Sequence, residues 1–159
     1  GLLGFQLPEN FNRPYLKPNL TQFWNNWHMT LTQWFRTYFF FPLTRFLRGE
    51  TQLPPFLVIF ITKVSTMLVI GLWHGVTLNF LIWGAWHGLG LFLHNRWHAL
   101  TGPRLVRLRA NRPFFGRLLT ISGVLLTFVF VSLGWVWFAL PDTASAVSVL
   151  GTLFGLEGA

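Results

Sequence analysis

The chain has 159 residues, enough for one domain or a piece of one, and 52% of them are hydrophobic while only 10% are charged. Soluble domains usually carry about a quarter charged residues, so a water-soluble globule is disfavoured. A mean hydropathy of +0.48, with 18 Phe and 9 Trp, points instead to a membrane protein rich in interfacial aromatics. The net charge of +8 does not make it a nucleic-acid binder, because its basic residues punctuate long apolar runs rather than cover a polar face. With no cysteine there is no disulfide, no thiolate zinc site and no thiol nucleophile.

The chain opens on Gly1, shows no signal-peptide pattern and closes on Leu156-Glu157-Gly158-Ala159, so we expect a single partial domain of a longer polytopic protein over residues 1–159. Residues 1–19 read as an irregular lead-in broken by Pro8, Pro14 and Pro18. From 20 to 41 the apolar residues Leu20, Phe23, Trp24, Trp27, Leu31, Trp34, Phe35 and Tyr38 recur at helical spacing. Thr21, Asn25, His28, Thr32 and Arg36 share another face. An amphipathic helix of this kind lies along a bilayer interface or lines a polar cavity. Pro42 is expected to end it, with Arg45, Arg48 and Glu50 in a short loop.

Three apolar runs follow and predict membrane helices over 55–73, 76–94 and 118–140. Lys63 interrupts the first and should face protein or a water-filled cavity, since an intramembrane charge costs at least ~2.5 kcal/mol. Arg104, Arg107, Arg109, Arg112 and Arg117, with no acid among them, mark 97–117 as a basic loop. By the positive-inside rule this loop and the Arg45–Arg48 segment are cytoplasmic, and the two spans between them return the chain to the same side. The turn at His74-Gly75 then lies away from the cytoplasm or deep in the membrane.

Histidine is the natural candidate for chemistry here, because its unperturbed pKa lets it act as a base near neutrality. His74 sits in Gly71-Leu72-Trp73-His74-Gly75, between two short spans. From spacing alone it reads equally as a base or as a histidine that ties down a broken helix. His28 lies among Asn25, Asn26 and Trp27, where a solvated or interfacial role is the plainer reading. Gly84 and Gly88 form a small-xxx-small pair that favours close helix packing, and His87 between them reads as a buried hydrogen-bonding group. His94 and His98 have the spacing of a metal pair, but the helix offers no carboxylate to complete a site, so no metal is expected. No phosphate-binding glycine loop, nucleophile elbow or paired carboxylate occurs.

Two blocks carry a resemblance. Phe23-Trp24-Asn25-Asn26-Trp27-His28-Met29-Thr30-Leu31-Thr32, with Trp34-Phe35-Arg36 and Pro42-Leu43, resembles the F-W-x-R-W-H-x-S-L-S-x-W-F-R-D-Y…P-L block of the membrane-bound O-acyltransferases. Gly71-Leu72-Trp73-His74-Gly75, Asn79-Phe80 and Trp83-Gly84-Ala85-Trp86-His87-Gly88 resemble the second block of that family. The stretch Phe130–Phe138 is similar to a span of its bacterial alginate O-acetylase branch. Asn26 and Thr37 depart from the pattern, standing where arginine and aspartate are usual, and change the charge around His28 but not His74.

The resemblance implies an all-α polytopic fold in the bacterial inner membrane, with helices ringed around a tunnel, of which this chain is the core. It implies transfer of an acetyl or other short acyl group from a thioester to a hydroxyl of an exported polysaccharide or envelope polymer. His74 maps onto the catalytic histidine and His28 onto the second polar position. Arg36, Lys63 and Asn79 are candidates to steady negative charge, and Trp73 and His87 join them as candidate substrate contacts. The donor is an acyl-CoA or acyl-carrier-protein thioester rather than a tightly bound cofactor. Membrane lipids and a polysaccharide-acetylation protein are the expected partners, with no nucleic acid. The competing readings are a non-catalytic transport or scaffold segment and a pseudo-enzyme partner.

Overall fold

A computed structural model describes Gly4 and residues 7–156; the remaining residues of the expected lead-in 1–19 lie outside these. No strand occurs among the described residues. The helices are α1 Leu20–Asn26, α2 Met29–Phe35, α3 Phe41–Glu50, α4 Pro55–His74, α5 Leu78–Asn111, α6 Pro113–Ala139 and α7 Thr143–Leu153. A 3-10 turn at Pro14–Leu16 precedes them, and a π turn at Arg36–Phe40 joins α2 to α3.

The hairpin of α4 and α5 is the spine, and α6 packs against α5. In lipid, apolar burial gives helices little reason to associate, so close backbone approach matters more. A Cβ at Gly84 would fall 2.6 Å from the Met67 carbonyl oxygen, and one at Gly88 would fall 2.8 Å from the Val64 Cα. The expected small-residue contact is therefore the α4–α5 seam. At the turn, Gly75 is extended, and a Cβ there would strike the Phe80 ring at 2.7 Å. Thr77 then caps α5 by accepting a hydrogen bond from the Phe80 N–H.

Helices α4 and α6 are each long and apolar enough to cross a membrane. The predicted span 55–73 matches α4 within a residue, and 118–140 falls within α6 and one residue past it. The predicted span 76–94 is the first half of a longer helix. At 34 residues, α5 is about 51 Å long, well beyond a hydrocarbon core of about 30 Å. It runs on through Pro103, so most of the expected basic loop at 97–117 is helix, broken only at Arg112. The reason is composition: Arg, Leu and Ala are strong helix formers, and one proline removes a single backbone donor.

The segment 20–41 is also corrected. It is two short helices broken at Trp27-His28, with His28 in the left-handed region at φ 43°. Pro42 does not end it. The π turn sends the Phe41 N–H to the Arg36 carbonyl, and α3 carries Arg45, Arg48 and Glu50 beyond the proline. A widened turn just before a proline accommodates a residue that has no N–H to give and a ring that crowds the preceding carbonyl.

Polar contacts fix the lead-in. The Trp135 indole N–H donates to the Tyr15 hydroxyl at 3.0 Å. The Asn12 N–H donates to the Asn26 carbonyl, and the Met29 N–H to the Asn10 carbonyl. Around them Tyr15, Phe23, Trp27 and Trp135 form an aromatic cluster, with Phe23 and Trp27 stacked at 5.5 Å.

Candidate active site

The break between α1 and α2 decides where His28 goes. A helix start normally recruits the side chain of its own cap residue, but His28 makes no such bond. Asn10 takes that role from the lead-in, its Oδ1 accepting from the Thr30 N–H at 3.1 Å and from the Thr30 hydroxyl at 2.9 Å. The His28 imidazole is thereby left for another use, and its buried Nδ1 has no hydrogen-bond partner among the described residues.

His74, the last residue of α4, meets it. Both line a cavity of about 140 Å³, closed by Phe11, Trp24, Trp27, Leu31, Trp83, Trp135 and Phe138 among others. The His74 ring contacts Trp73 at 4.7 Å, Phe138 at 4.9 Å, Trp83 at 5.6 Å and Phe80 at 5.9 Å between centroids. Among the described residues it makes no hydrogen bond, so it does not tie down the helix end; the Gly75 N–H does that, donating to the Gly71 carbonyl.

A second cavity of about 310 Å³ lies alongside and shares Trp24, Thr32 and Ile70 as walls. Lys63 and Arg36 both line it, which places Lys63 against protein space as its cost in lipid requires. Arg36 donates to Asn25 Oδ1. Burial holds the Arg36 guanidinium below its ordinary pKa.

The other candidates stand elsewhere. Asn79 is buried, donating from Nδ2 to the Leu140 carbonyl at 3.0 Å and accepting the Thr143 hydroxyl at 2.8 Å. Both ends of its amide therefore bind the α6–α7 corner, and Asn79 lines neither cavity. His87 is fully buried, its Nδ1 3.0 Å from the Trp83 carbonyl and its ring seated where Gly134 has no side chain. It lines neither cavity but packs on Trp83 and Trp24, which do. Trp73 is more than half exposed and touches His74 from outside the cavity wall. His94 hydrogen-bonds Thr21 at 3.1 Å. Asn26 and Thr37 line neither cavity; the Asn26 amide donates to the Gln22 carbonyl, and the Thr37 hydroxyl accepts from the Gln33 amide.

Sequence reading missed Phe11, which closes the cavity over His28 from a stretch without helical periodicity. It also left Thr32, Ile70 and Trp24 unassigned, although these divide the two cavities. The clue for Trp24 and Thr32 was their place, one turn from His28 on either side.

The sequence matches the family model MBOAT, membrane-bound O-acyltransferase family, over residues 2–138. The chain belongs to this family. It is 33% identical to a peptidoglycan O-acetyltransferase of Helicobacter pylori and 35% identical to a probable alginate O-acetylase of Pseudomonas aeruginosa. Each match covers 96% of this chain and 26% of the relative. A teichoic acid D-alanyltransferase of Bacillus subtilis is 29% identical over 87% of the chain and 34% of its own length. The chain thus spans about a quarter to a third of these relatives.

Proposed function

We propose that this chain forms the histidine-bearing core of a multi-pass acyltransferase of the bacterial cytoplasmic membrane. It moves a short acyl group, in our reading acetyl, from a thioester to a hydroxyl of an exported polysaccharide or envelope polymer. The observation that carries the proposal is the meeting of His74 and His28, from separate elements, in one aromatic-walled cavity with His74 free of hydrogen bonds among the described residues. A hydroxyl is a weak nucleophile at neutral pH, and a positioned imidazole can take its proton as the oxygen attacks the thioester carbonyl. The C–O bond forms, the C–S bond breaks, and the proton on the imidazole passes to the departing thiolate. Water is kept from competing by the aromatic walls. His28, held in place by the Asn10 cap, is suited to orient one of the two substrates.

The relatives support an envelope polymer as acceptor, since they are named for peptidoglycan, alginate and teichoic acid. The basic end of α5 supports a cytoplasmic donor side, because Arg104, Arg107 and Arg109 lie past the length a bilayer core covers. The test uses the full-length protein in membranes with a radiolabelled acyl donor. His74→Ala is expected to lower transfer by about 10²–10⁴-fold at equal protein, the usual weight of one general base. Transfer by His74→Ala within a few-fold of wild type would defeat the reading.

A further inference from the structure

The chemistry above leaves the bend between α5 and α6 unused. A groove of about 550 Å³ opens there, lined by Arg109 of α5 and by Pro113, Gly116, Arg117, Thr120 and Ile121 of α6. Gly116 brings its two arginines together. A Cβ at that glycine would stand 3.3 Å from the Arg109 Cγ and 3.4 Å from its Cα, so the Arg109 stem crosses the first turn of α6 at the residue before Arg117. Neither guanidinium has a hydrogen bond or ion pair among the described residues. No Asp or Glu occurs in the sequence between Glu50 and Asp142. The neighbouring polar groups are engaged elsewhere: the Thr120 hydroxyl donates to the Gly116 carbonyl at 3.0 Å, and the Arg112 guanidinium lies 5.9 Å over the Phe115 ring.

Helix length sets the depth of the groove. Arg117 stands 22 residues before Ala139, about 33 Å along α6, and the run between them carries no charge. That length matches a hydrocarbon core of about 30 Å, so with α6 across the membrane Arg117 lies at the level of the headgroups. On the membrane side of it Ile121 and Leu125 follow at intervals of one helical turn, and both are exposed. Cations at headgroup depth, above an exposed apolar stripe, match a ligand that is anionic at one end and apolar at the other. A soluble anion would leave the stripe bare, and a zwitterionic lipid would bring its own cation against the two arginines. We propose that the α5–α6 bend binds an anionic phospholipid, with its phosphodiester on Arg109 and Arg117 and an acyl chain along Ile121 and Leu125. A guanidinium fork can meet two phosphate oxygens at once, and basic pockets between membrane helices on the cytoplasmic side hold anionic headgroups. The site does not depend on the acyltransferase reading.

The experiment uses the full-length protein in a neutral detergent, loaded with phosphatidylglycerol that carries a fluorescent acyl chain. Unlabelled phosphatidylglycerol, phosphatidylcholine and glycerol 3-phosphate then compete for the site. Phosphatidylglycerol is expected to displace the probe at a concentration at least tenfold lower than phosphatidylcholine, and glycerol 3-phosphate should not displace it in that range. Arg109→Gln and Arg117→Gln should each weaken phosphatidylglycerol binding about fivefold, leaving phosphatidylcholine unchanged, whereas Arg117→Lys should retain most of the preference. Ile121→Trp, which fills the groove without altering its charge, should weaken both lipids. Arg45→Gln, on α3, should weaken neither. Equal affinity of the wild type for the two lipids overturns the proposal. So does a preference that survives in the double Gln variant, as it would if another part of the full-length protein covers the groove. An equal loss in Arg45→Gln would mean diffuse surface charge rather than a site, and unaltered binding in Ile121→Trp would remove the acyl-chain stripe; either overturns it. Displacement by glycerol 3-phosphate as effective as by the lipid would make this a site for a soluble phosphate ester and overturn the lipid assignment.

Discussion

At the α4–α5 turn, His74 is surrounded by four aromatic rings and, among the described residues, makes no hydrogen bond. Midway along α5, His87 is buried completely and held by the Trp83 carbonyl, in a slot opened by Gly134. Both histidines follow a tryptophan and precede a glycine in sequence, Trp73-His74-Gly75 and Trp86-His87-Gly88. The same tripeptide therefore gives one imidazole that is available and one that is fixed. The difference lies in where the helix ends. At Gly75 the chain leaves α4, and the last side chain points into the space under the turn; at Gly88 the helix continues, and its glycine serves contact with Val64 instead.

The sharpest way to break this contrast is to give both positions the same substitute. Glutamine keeps a hydrogen-bonding amide but is no base near pH 7. His74→Gln should lower acyl transfer by about 10²–10⁴-fold with little change in melting temperature. His87→Gln should do the reverse, with transfer per folded molecule within a few-fold of wild type and a lowered melting temperature. Equal effects on both quantities at both sites would mean that the two imidazoles do not differ in role.

A smaller effect tests the seam that places His74. A side chain at Gly84 meets the Met67 carbonyl, backbone that cannot step aside. Gly84→Val should cost about 1–3 kcal/mol, as overpacking of a tight contact usually does, read as a drop in melting temperature in detergent. A Cβ at Gly49 in α3 would have no neighbour within 4 Å, so Gly49→Ala should instead stabilise by about 0.5–1 kcal/mol.

Gly84 also shows what is legible in the sequence. The Gly84–Gly88 spacing and the apolar run of α4 are readable because each is a local pattern whose physical meaning does not depend on distant residues. The turn at His74-Gly75 is readable for the same reason. Pro42 misleads because a π turn can absorb a proline, and periodicity carries no mark of that. The basic stretch after Trp97 reads as a loop on its charge, whereas its helix-forming side chains carry α5 on past Pro103. Asn79 looks available as an amide in an apolar run; its partners Leu140 and Thr143 are over sixty residues away. The pairing of His28 with His74 is open to resemblance but not to spacing, since it depends on a left-handed residue and a cap supplied by Asn10.

That cap gives a prediction of about 1 kcal/mol. Asn10→Ala removes the acceptor for the Thr30 N–H and hydroxyl and frees the α2 start. The melting temperature should fall slightly, and transfer should fall through misplacement of His28. Asn10→Asp, which keeps the acceptor, should restore both. Loss of transfer in Asn10→Asp as well would point to the charge at this position rather than the cap.

The smallest expected effect lies at the other end of the molecule, where α7 begins without any histidine or cavity. Asp142 caps it, Oδ1 accepting from the Ser145 N–H at 2.8 Å and Oδ2 from the Ser145 hydroxyl at 2.9 Å. These bonds favour the carboxylate and hold Asp142 below its ordinary pKa, the Ser145 N–H contributing most. A depressed folded pKa means that the stabilisation is present above the unfolded value, near 4, and is lost as pH falls through the folded one. Hydrogen exchange at the first amides of α7 should therefore be slow at neutral pH and quicken as the pH drops below about 4, after correction for the intrinsic rate. Asp142→Asn keeps a capping acceptor without the titration, so its protection should be flat across that range. Asp142→Ala should be poorly protected throughout. Acyl transfer at neutral pH should be unchanged in Asp142→Asn, because the cap lies outside both cavities. A fall in transfer with intact protection in that variant would mean that the α6–α7 corner touches a substrate, and that the working site extends past Phe138 along the chain.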